Sequence, residues 1–457
     1  MKMAKLFLSA LALLMAGSLL AQQQKIQNWR PYDKEGINVF EPKKDIDTEF
    51  DGLKVRVGGS FTQQYQMLDH SNAASFDSIT VNGKVANANE LYPLAPGFNL
   101  ATANLYIDAQ LADGIRVAIE NYMSSRHHQE FWVKGGYIQI DKLPMFGNPD
   151  WFSKNFRVKI GHFQVNYGDM QFRRSDNGNA MYNPFVGNYI MDAFATEIGG
   201  EVYYFSPSGL MAMVGATSGY IAGDITEGDN RNPSVYAKLA YDKQINPDLR
   251  LRLSGSMYRN TGAGRNTLYA GDRSGSRFYL VGEPEYYKPR GATAYTGADP
   301  NGLFTSGRLN PGFTSEVQSF MINPFVKFKG LELFGTFETS SVLAYSDPKD
   351  EGAANPESRT VTQIGVEGLY RFLPNEQAYI GARYNQVSGE LNARVRDANG
   401  ASDLSANRLE IAAGWYPIKN LLLKVSYVNQ QYKDYPVSNI LHQAEFNGAM
   451  VEAVVGF

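Results

Sequence analysis

The sequence predicts an all-β chain, a sixteen-stranded antiparallel transmembrane β-barrel, and three observations carry that prediction. Segment after segment alternates apolar with polar or small side chains at the two-residue period of a strand. The connections between those segments fall into two classes, short turns and long polar loops, which take turns along the chain. The third is composition: 44 Gly, 28 Tyr and 26 Phe stand beside a mean hydropathy below zero. Each barrel strand needs only one apolar face, so the average looks soluble while aromatic residues gather at the two membrane interfaces.

The chain opens on Lys2, Lys5, an apolar run over 6–20 and a small Ala21, the layout of a cleavable export signal over residues 1–21. Its removal takes two lysines and no acid, moving the formal net charge from -3 to -5. That balance argues against nucleic acid as a partner. Residues 22–52 form a periplasmic N-terminal segment, a tail or a small lumen insert, and 53–457 the transmembrane barrel. Beyond the signal no apolar run reaches the length of a membrane helix.

Strands are expected near 53–67, 100–111, 115–123, 132–141, 156–165, 194–205, 210–218 and 234–242. The second half continues near 249–258, 318–328, 331–343, 359–371, 377–387, 406–416, 421–431 and 445–457. Turn-tolerant runs such as Ala112-Asp113-Gly114, Ser206-Pro207-Ser208-Gly209 and Lys329-Gly330 join every second pair, with 142–155 the one longer member. Between them lie long loops, the largest over 68–99, 166–193 and 259–317. Short turns belong in the periplasm and long loops outside, so both chain ends fall on the periplasmic side. The last strand closes on Phe457, an assembly signal for a membrane barrel, with Val451, Ala453 and Val455 on the same face.

The two faces of each strand decide what lines the interior. Lys54, Arg56, Ser60, Thr62 and Gln64 oppose Leu53, Val55, Val57 and Phe61. A lysine or arginine facing lipid costs ~2–4 kcal/mol at the midplane, so the charged set faces the lumen. The same rule places Arg56, Arg116, Lys134, Arg157, Lys159, Lys238, Arg250, Arg252, Arg383 and Arg408 inside, against Asp108, Glu120, Glu197, Glu201, Glu338, Glu367 and Glu410. Solvation by lumen water is the plain expectation for these charges.

Several chemistries are excluded. No cysteine is present, so there is no disulfide, thiolate metal site or lipid-modified N-terminus. Of the five histidines, His70, His127, His128 and His442 sit in expected loops and His162 in a strand, without a nucleophile elbow or a helical metal spacing. The acidic stretches 224–232 and 347–351 lack the spacing of a calcium loop. No catalysis and no cofactor are expected. Sixteen strands enclose a water-filled channel, whereas a plugged receptor of about 22 strands would need an N-terminal domain that the short 22–52 segment does not supply.

The loop over 166–193 follows the fifth strand and folds inward on this reading, with Arg173, Arg174, Asp169 and Asp176 at the pore constriction. Paired guanidiniums in a narrow passage attract anions. The alternative is that Arg173 and Arg174 pair with Asp176 and pin the loop, while Tyr167, Phe172, Tyr182, Phe185 and Tyr189 pack it to the wall.

The run Val158-Lys159-Ile160-Gly161-His162-Phe163-Gln164-Val165-Asn166-Tyr167-Gly168 leading into this loop, with the signal, the strand count and Phe457, resembles the family of phosphate-selective porins O and P. The resemblance implies a homotrimeric sixteen-stranded channel in the outer membrane of a Gram-negative bacterium. That family lines its pore with an arginine ladder and lysine clusters, whereas the lumen set here mixes signs. The expectation is therefore a passive diffusion channel for small hydrophilic solutes with a slight anion preference, its partners being outer-membrane lipid and the solutes themselves. The rival is a binding or structural outer-membrane protein with a plugged lumen and recognition loops.

Overall fold

The computed structural model describes residues 25–44, 48–124, 131–176, 179–219, 232–262, 266–270, 277–289, 292–299, 306–313, 316–342, 358–390 and 403–457. The signal segment 1–21, His127, His128, the stretch 347–351 and all of 224–232 but Asn232 lie outside them.

Among the described residues sixteen antiparallel strands close into one barrel. In chain order they are β1 Lys54–Ser71, β2 Gly97–Ala112, β3 Ile115–Ser124, β4 Trp132–Ile140, β5 Phe156–Gln164, β6 Thr196–Phe205, β7 Leu210–Thr217 and β8 Ser234–Gln244. The second half is β9 Leu249–Thr261, β10 Glu316–Phe328, β11 Leu331–Val342, β12 Arg359–Phe372, β13 Ala378–Glu390, β14 Asp403–Ile418, β15 Leu421–Lys433 and β16 Glu445–Gly456. Each expected strand is present, most within a few residues of its expected ends. Every strand pairs with its sequence neighbour, and β1 pairs with β16 in a register that sets Ser60 opposite Gly456. Phe457 extends that seam: its N–H donates to the Gly59 carbonyl at 3.0 Å and its own carbonyl accepts from the Gly59 N–H at 3.0 Å. Closure gives each barrel strand among the described residues a neighbour on both sides, as a bilayer requires.

The outer face carries the apolar half of the alternation: Val55 is 53% exposed and Leu253 55%. Charged partners in the same strands, such as Arg252, point inward and are buried. Turn chemistry follows the sequence. At Lys329-Gly330 the lysine takes φ 51°, and at Ala112-Asp113-Gly114 the glycine takes φ 71°, left-handed positions that a tight hairpin demands.

The interior departs from the expectation of solvated charge. Much of the lumen is a packed core in which Phe40, Met170, Tyr189, Met191, Leu268, Phe278 and Leu309, from the N-terminal segment and two long loops, meet wall residues such as Tyr258, Phe325 and Phe446. Charges that alternation sends into the lumen are accordingly paired. Arg250 donates to Asp242 at 2.7 Å, Arg157 to Asp141 at 2.8 Å, and Arg116 to Asp108 at 2.6 Å. A buried guanidinium without such partners would carry a large desolvation cost.

Candidate pore constriction

The loop over 166–193 leaves β5 through Val165, whose N–H donates to the Ala195 carbonyl at 3.0 Å, and folds inside the barrel. Gly168 takes φ +70° with Met321 pressed against it, so a side chain there would meet both strain and a clash. A single 3-10 turn, Met170–Phe172, follows.

Most of the loop's anchors lie on one side of the barrel, with Asn166 and Asp176 reaching β2, β4 and β6 on the other. Asp169 accepts from Arg252 on β9 at 2.7 and 2.9 Å, from Ser254 at 2.7 Å and from Lys238 on β8 at 3.1 Å. Arg173 donates to Glu367 on β12 at 3.1 Å and also to Asn38. The Tyr189 hydroxyl donates to Glu367 at 3.0 Å, the Ile190 N–H to Asn385 on β13 at 2.7 Å, and the Gly187 N–H to Glu410 on β14 at 3.1 Å. Lys424 on β15 donates to the Phe185 carbonyl at 2.8 Å. Burial alone pushes the Asp169 carboxyl up, but Arg252 and Lys238 more than offset this and hold it well below the usual carboxylate range.

The loop thus leans on β8 to β15, and a cavity of about 200 Å³ remains against the opposite wall. The wall side consists of Tyr106 on β2, Arg116 and Glu120 on β3, Lys134, Tyr137 and Gln139 on β4, Arg157, Lys159 and Gln164 on β5, and Tyr203 on β6. Gln171, Asp176, Asn179 and Tyr182 close it from the loop, and Trp29, Arg30, Tyr32 and Glu41 from the N-terminal segment. From Arg157 to Gln164 the lining follows β5 for roughly 23 Å at ~3.3 Å per residue, so the cavity is elongated along the wall.

The N-terminal segment crosses the short-turn end of the lumen. The Trp29 indole donates to Asp108 at 3.2 Å and the Tyr32 hydroxyl to the same oxygen at 2.6 Å. The Lys34 N–H donates to the Lys419 carbonyl in the turn after β14 at 3.0 Å. Asn38 donates to Glu332 at 2.7 Å, Glu41 accepts from Arg252 at 2.7 Å, and Lys44 donates to Asp141 at 2.9 Å.

The residues read from the sequence as the constriction divide. Asp176 lines the cavity and pairs with Lys134. Asp169, Arg173 and Arg174 do not line it: each is buried, and Arg174 donates to Asp192 at 2.6 and 2.9 Å. Arg173 pairs with Glu367 and Glu332 of the wall, and Arg174 with Asp192 and, at 3.9 Å, with Asp176. The lumen set divides too. Arg116, Arg157 and Lys159 line the cavity, and Arg56 lies 4.2 Å from the Trp29 ring centre. Arg250, Arg252, Arg383 and Arg408 sit on the wall opposite, Arg383 on Glu410 and Arg408 on the Asn188 carbonyl at 2.5 Å and the Gly307 carbonyl at 2.7 Å. Glu197 accepts from the Tyr258 hydroxyl at 2.8 Å, and Glu201 from those of Tyr203 and Tyr236 at 2.6 and 2.9 Å. Missing from the sequence reading are Trp29, Arg30, Tyr32 and Glu41; the aromatic and cationic run Trp29-Arg30-Pro31-Tyr32 was the available signal, being unlike a solvated tail.

No protein-family model and no curated protein sequence matches the chain. Solved structures do. An anion-selective porin from Comamonas acidovorans aligns at 11% identity with a TM-score of 0.50, covering 89% of this chain and 100% of that one. OprB of Pseudomonas putida aligns at 12% identity and TM-score 0.48 over 89% of this chain and 94% of its own. The channel DcaP of Acinetobacter baumannii aligns at 11% and 0.46 over 90% and 99%. At 11% identity the likeness to the Comamonas porin speaks for the fold, and together with the closed sixteen-stranded sheet it shows that this chain has the fold of an outer-membrane porin.

Proposed function

We propose that the protein is an outer-membrane channel, exported through the periplasm of a Gram-negative bacterium, that passes small hydrophilic solutes along the β2 to β6 wall. One observation carries this reading: the inward loop is stitched to β8 to β15 and leaves an elongated, charged cavity on the other side of a barrel whose outside is apolar. Transport here is passive. The width of the slot and the charges that line it set which solutes pass, and the mechanism needs neither a reaction nor a cofactor. The anion-selective porin of similar fold supports a slight anion preference, which we place on the cavity cations Arg30, Arg116, Lys134, Arg157 and Lys159, outnumbering Glu41, Glu120 and Asp176. A homotrimer accords with the porin reading.

A second reading is favoured by the packing of the lumen core: a closed barrel whose long loops bind a ligand or partner. Single-channel recording of the purified mature protein in a planar bilayer with potassium chloride separates the two. Open steps grouped in threes support the trimeric channel, and a silent bilayer supports the closed barrel.

A further inference from the structure

We infer that the cavity along β3 to β5 contains a subsite for a ring-bearing monocarboxylate, recognised by Lys159 and Arg30 against an aromatic lining. The inference rests on the channel reading for its place in a transport route, but the subsite itself requires only the cavity.

Of the five cavity cations, Arg30 has no carboxylate within 4 Å among the described residues and Lys159 reaches one only at the longest ion-pair distance of the five. The Arg30 guanidinium donates to the carbonyls of Gly36 at 3.0 Å and Phe172 at 2.8 Å and stands 3.7 Å from the Tyr182 ring centre. Backbone carbonyls satisfy its N–H groups without cancelling its charge. Lys159 approaches Glu201 only at 3.8 Å, and that carboxylate already accepts from the Tyr203 and Tyr236 hydroxyls. Its ammonium stands 4.3 Å from the ring centres of both Tyr137 and Phe163. A carboxylate at either cation gains a charge-assisted hydrogen bond in a site partly cleared of water. By contrast, Arg116 and Arg157 are committed to Asp108 and Asp141, and Lys134 to Asp176.

Three features narrow the ligand. Glu41, Glu120 and Asp176 stand in the same lining, each beside a cation of the protein, so the lining leaves little surplus positive charge beyond Lys159 and Arg30 and favours a ligand with a single negative charge. Trp29, Tyr137, Tyr182 and Tyr203 supply flat apolar surface to a ring. A volume of about 200 Å³ falls below the ~300–1,000 Å³ of drug-sized sites, which suits one ring. Aromatic acids and sugar acids share this chemistry.

Titration calorimetry of the mature protein in detergent, with benzoate, glucuronate and inorganic phosphate as separate probes, tests the subsite without requiring conduction. Benzoate or glucuronate should bind, and whichever binds identifies the ring type. Phosphate should bind at least about tenfold more weakly than that acid, and Lys159→Met and Arg30→Gln should each weaken the acid about tenfold, with Lys159→Arg restoring it. Heat-modifiable migration of each variant on a gel verifies that the barrel has folded. The inference is overturned if neither acid binds, if phosphate binds as well as they do, or if folded Lys159→Met and Arg30→Gln bind like the parent. Conduction without acid binding removes the subsite and leaves the channel, whereas acid binding in a silent barrel does the reverse.

Discussion

Arg252 holds Asp169 in a two-point grip, its Nε donating to Oδ2 at 2.7 Å and its Nη2 to Oδ1 at 2.9 Å, and so ties the inward loop to β9. Both side chains are buried, and Asp169 also accepts from Lys238 and Ser254, so removing its charge leaves Arg252 to Glu41 and Asp242 and frees the loop end of the grip. Asp169→Asn should therefore loosen the loop by about 1–3 kcal/mol of local stability. Limited proteolysis should then cut within 166–193, and single-channel traces should become noisier, while the barrel remains folded.

Arg173 and Arg174 act as anchors on this geometry, so replacing both by alanine should leave the reversal potential in a salt gradient close to the parent value while raising channel noise. Replacing Lys134 and Lys159 by methionine, on the cavity wall, should move it toward cation preference. The opposite pattern would return the selectivity to the loop arginines.

The N-terminal segment closes part of the short-turn mouth through Trp29, Tyr32, Asn38, Glu41 and Lys44. Deleting residues 25–44 from the mature chain should raise single-channel conductance and weaken discrimination by solute size in a liposome-swelling assay. It also leaves Asp108 and Asp141 with Arg116 and Arg157, so their charges remain paired and the barrel should still assemble.

Acid should act late. Burial raises the Asp169 and Glu41 carboxyls, but Arg252 and Lys238 outweigh it and leave both below their ordinary values. Groups lowered in the folded state stabilise it at every pH above the ordinary carboxylate range, and that stabilisation disappears as pH falls through the lowered value. Conductance and loop protection against protease should hold from pH 7 down to about pH 4 and fail only in stronger acid.

The barrel was legible because its signal is local. A run such as Leu249-Arg250-Leu251-Arg252-Leu253-Ser254 fixes which side chains face lipid, and Lys329-Gly330 or Ala112-Asp113-Gly114 marks where the chain turns back. The inward loop was legible from its position after β5 and its aromatic content. Pairing was not, because it depends on which residues meet across the lumen. Arg173 finds Glu367, 194 positions away, and Glu41 finds Arg252, 211 positions away. Nothing in the spacing of either arginine or glutamate carries that information. For the same reason the sequence left Arg250, Arg252, Arg383 and Arg408 of the inner face in water, where the structure buries Arg252, Arg383 and Arg408 and leaves Arg250 partly exposed beside Asp242.

The absence of native cysteine makes the route itself measurable. Single-channel current should be recorded from Gln171→Cys and Asn179→Cys, both on the cavity, and from Gln363→Cys, buried behind the loop on β12, during exposure to a charged methanethiosulfonate reagent. Stepwise block at Gln171→Cys and Asn179→Cys with no change at Gln363→Cys is the result expected if solutes pass along the β2 to β6 wall. Block at Gln363→Cys with the two cavity variants unaffected would contradict it.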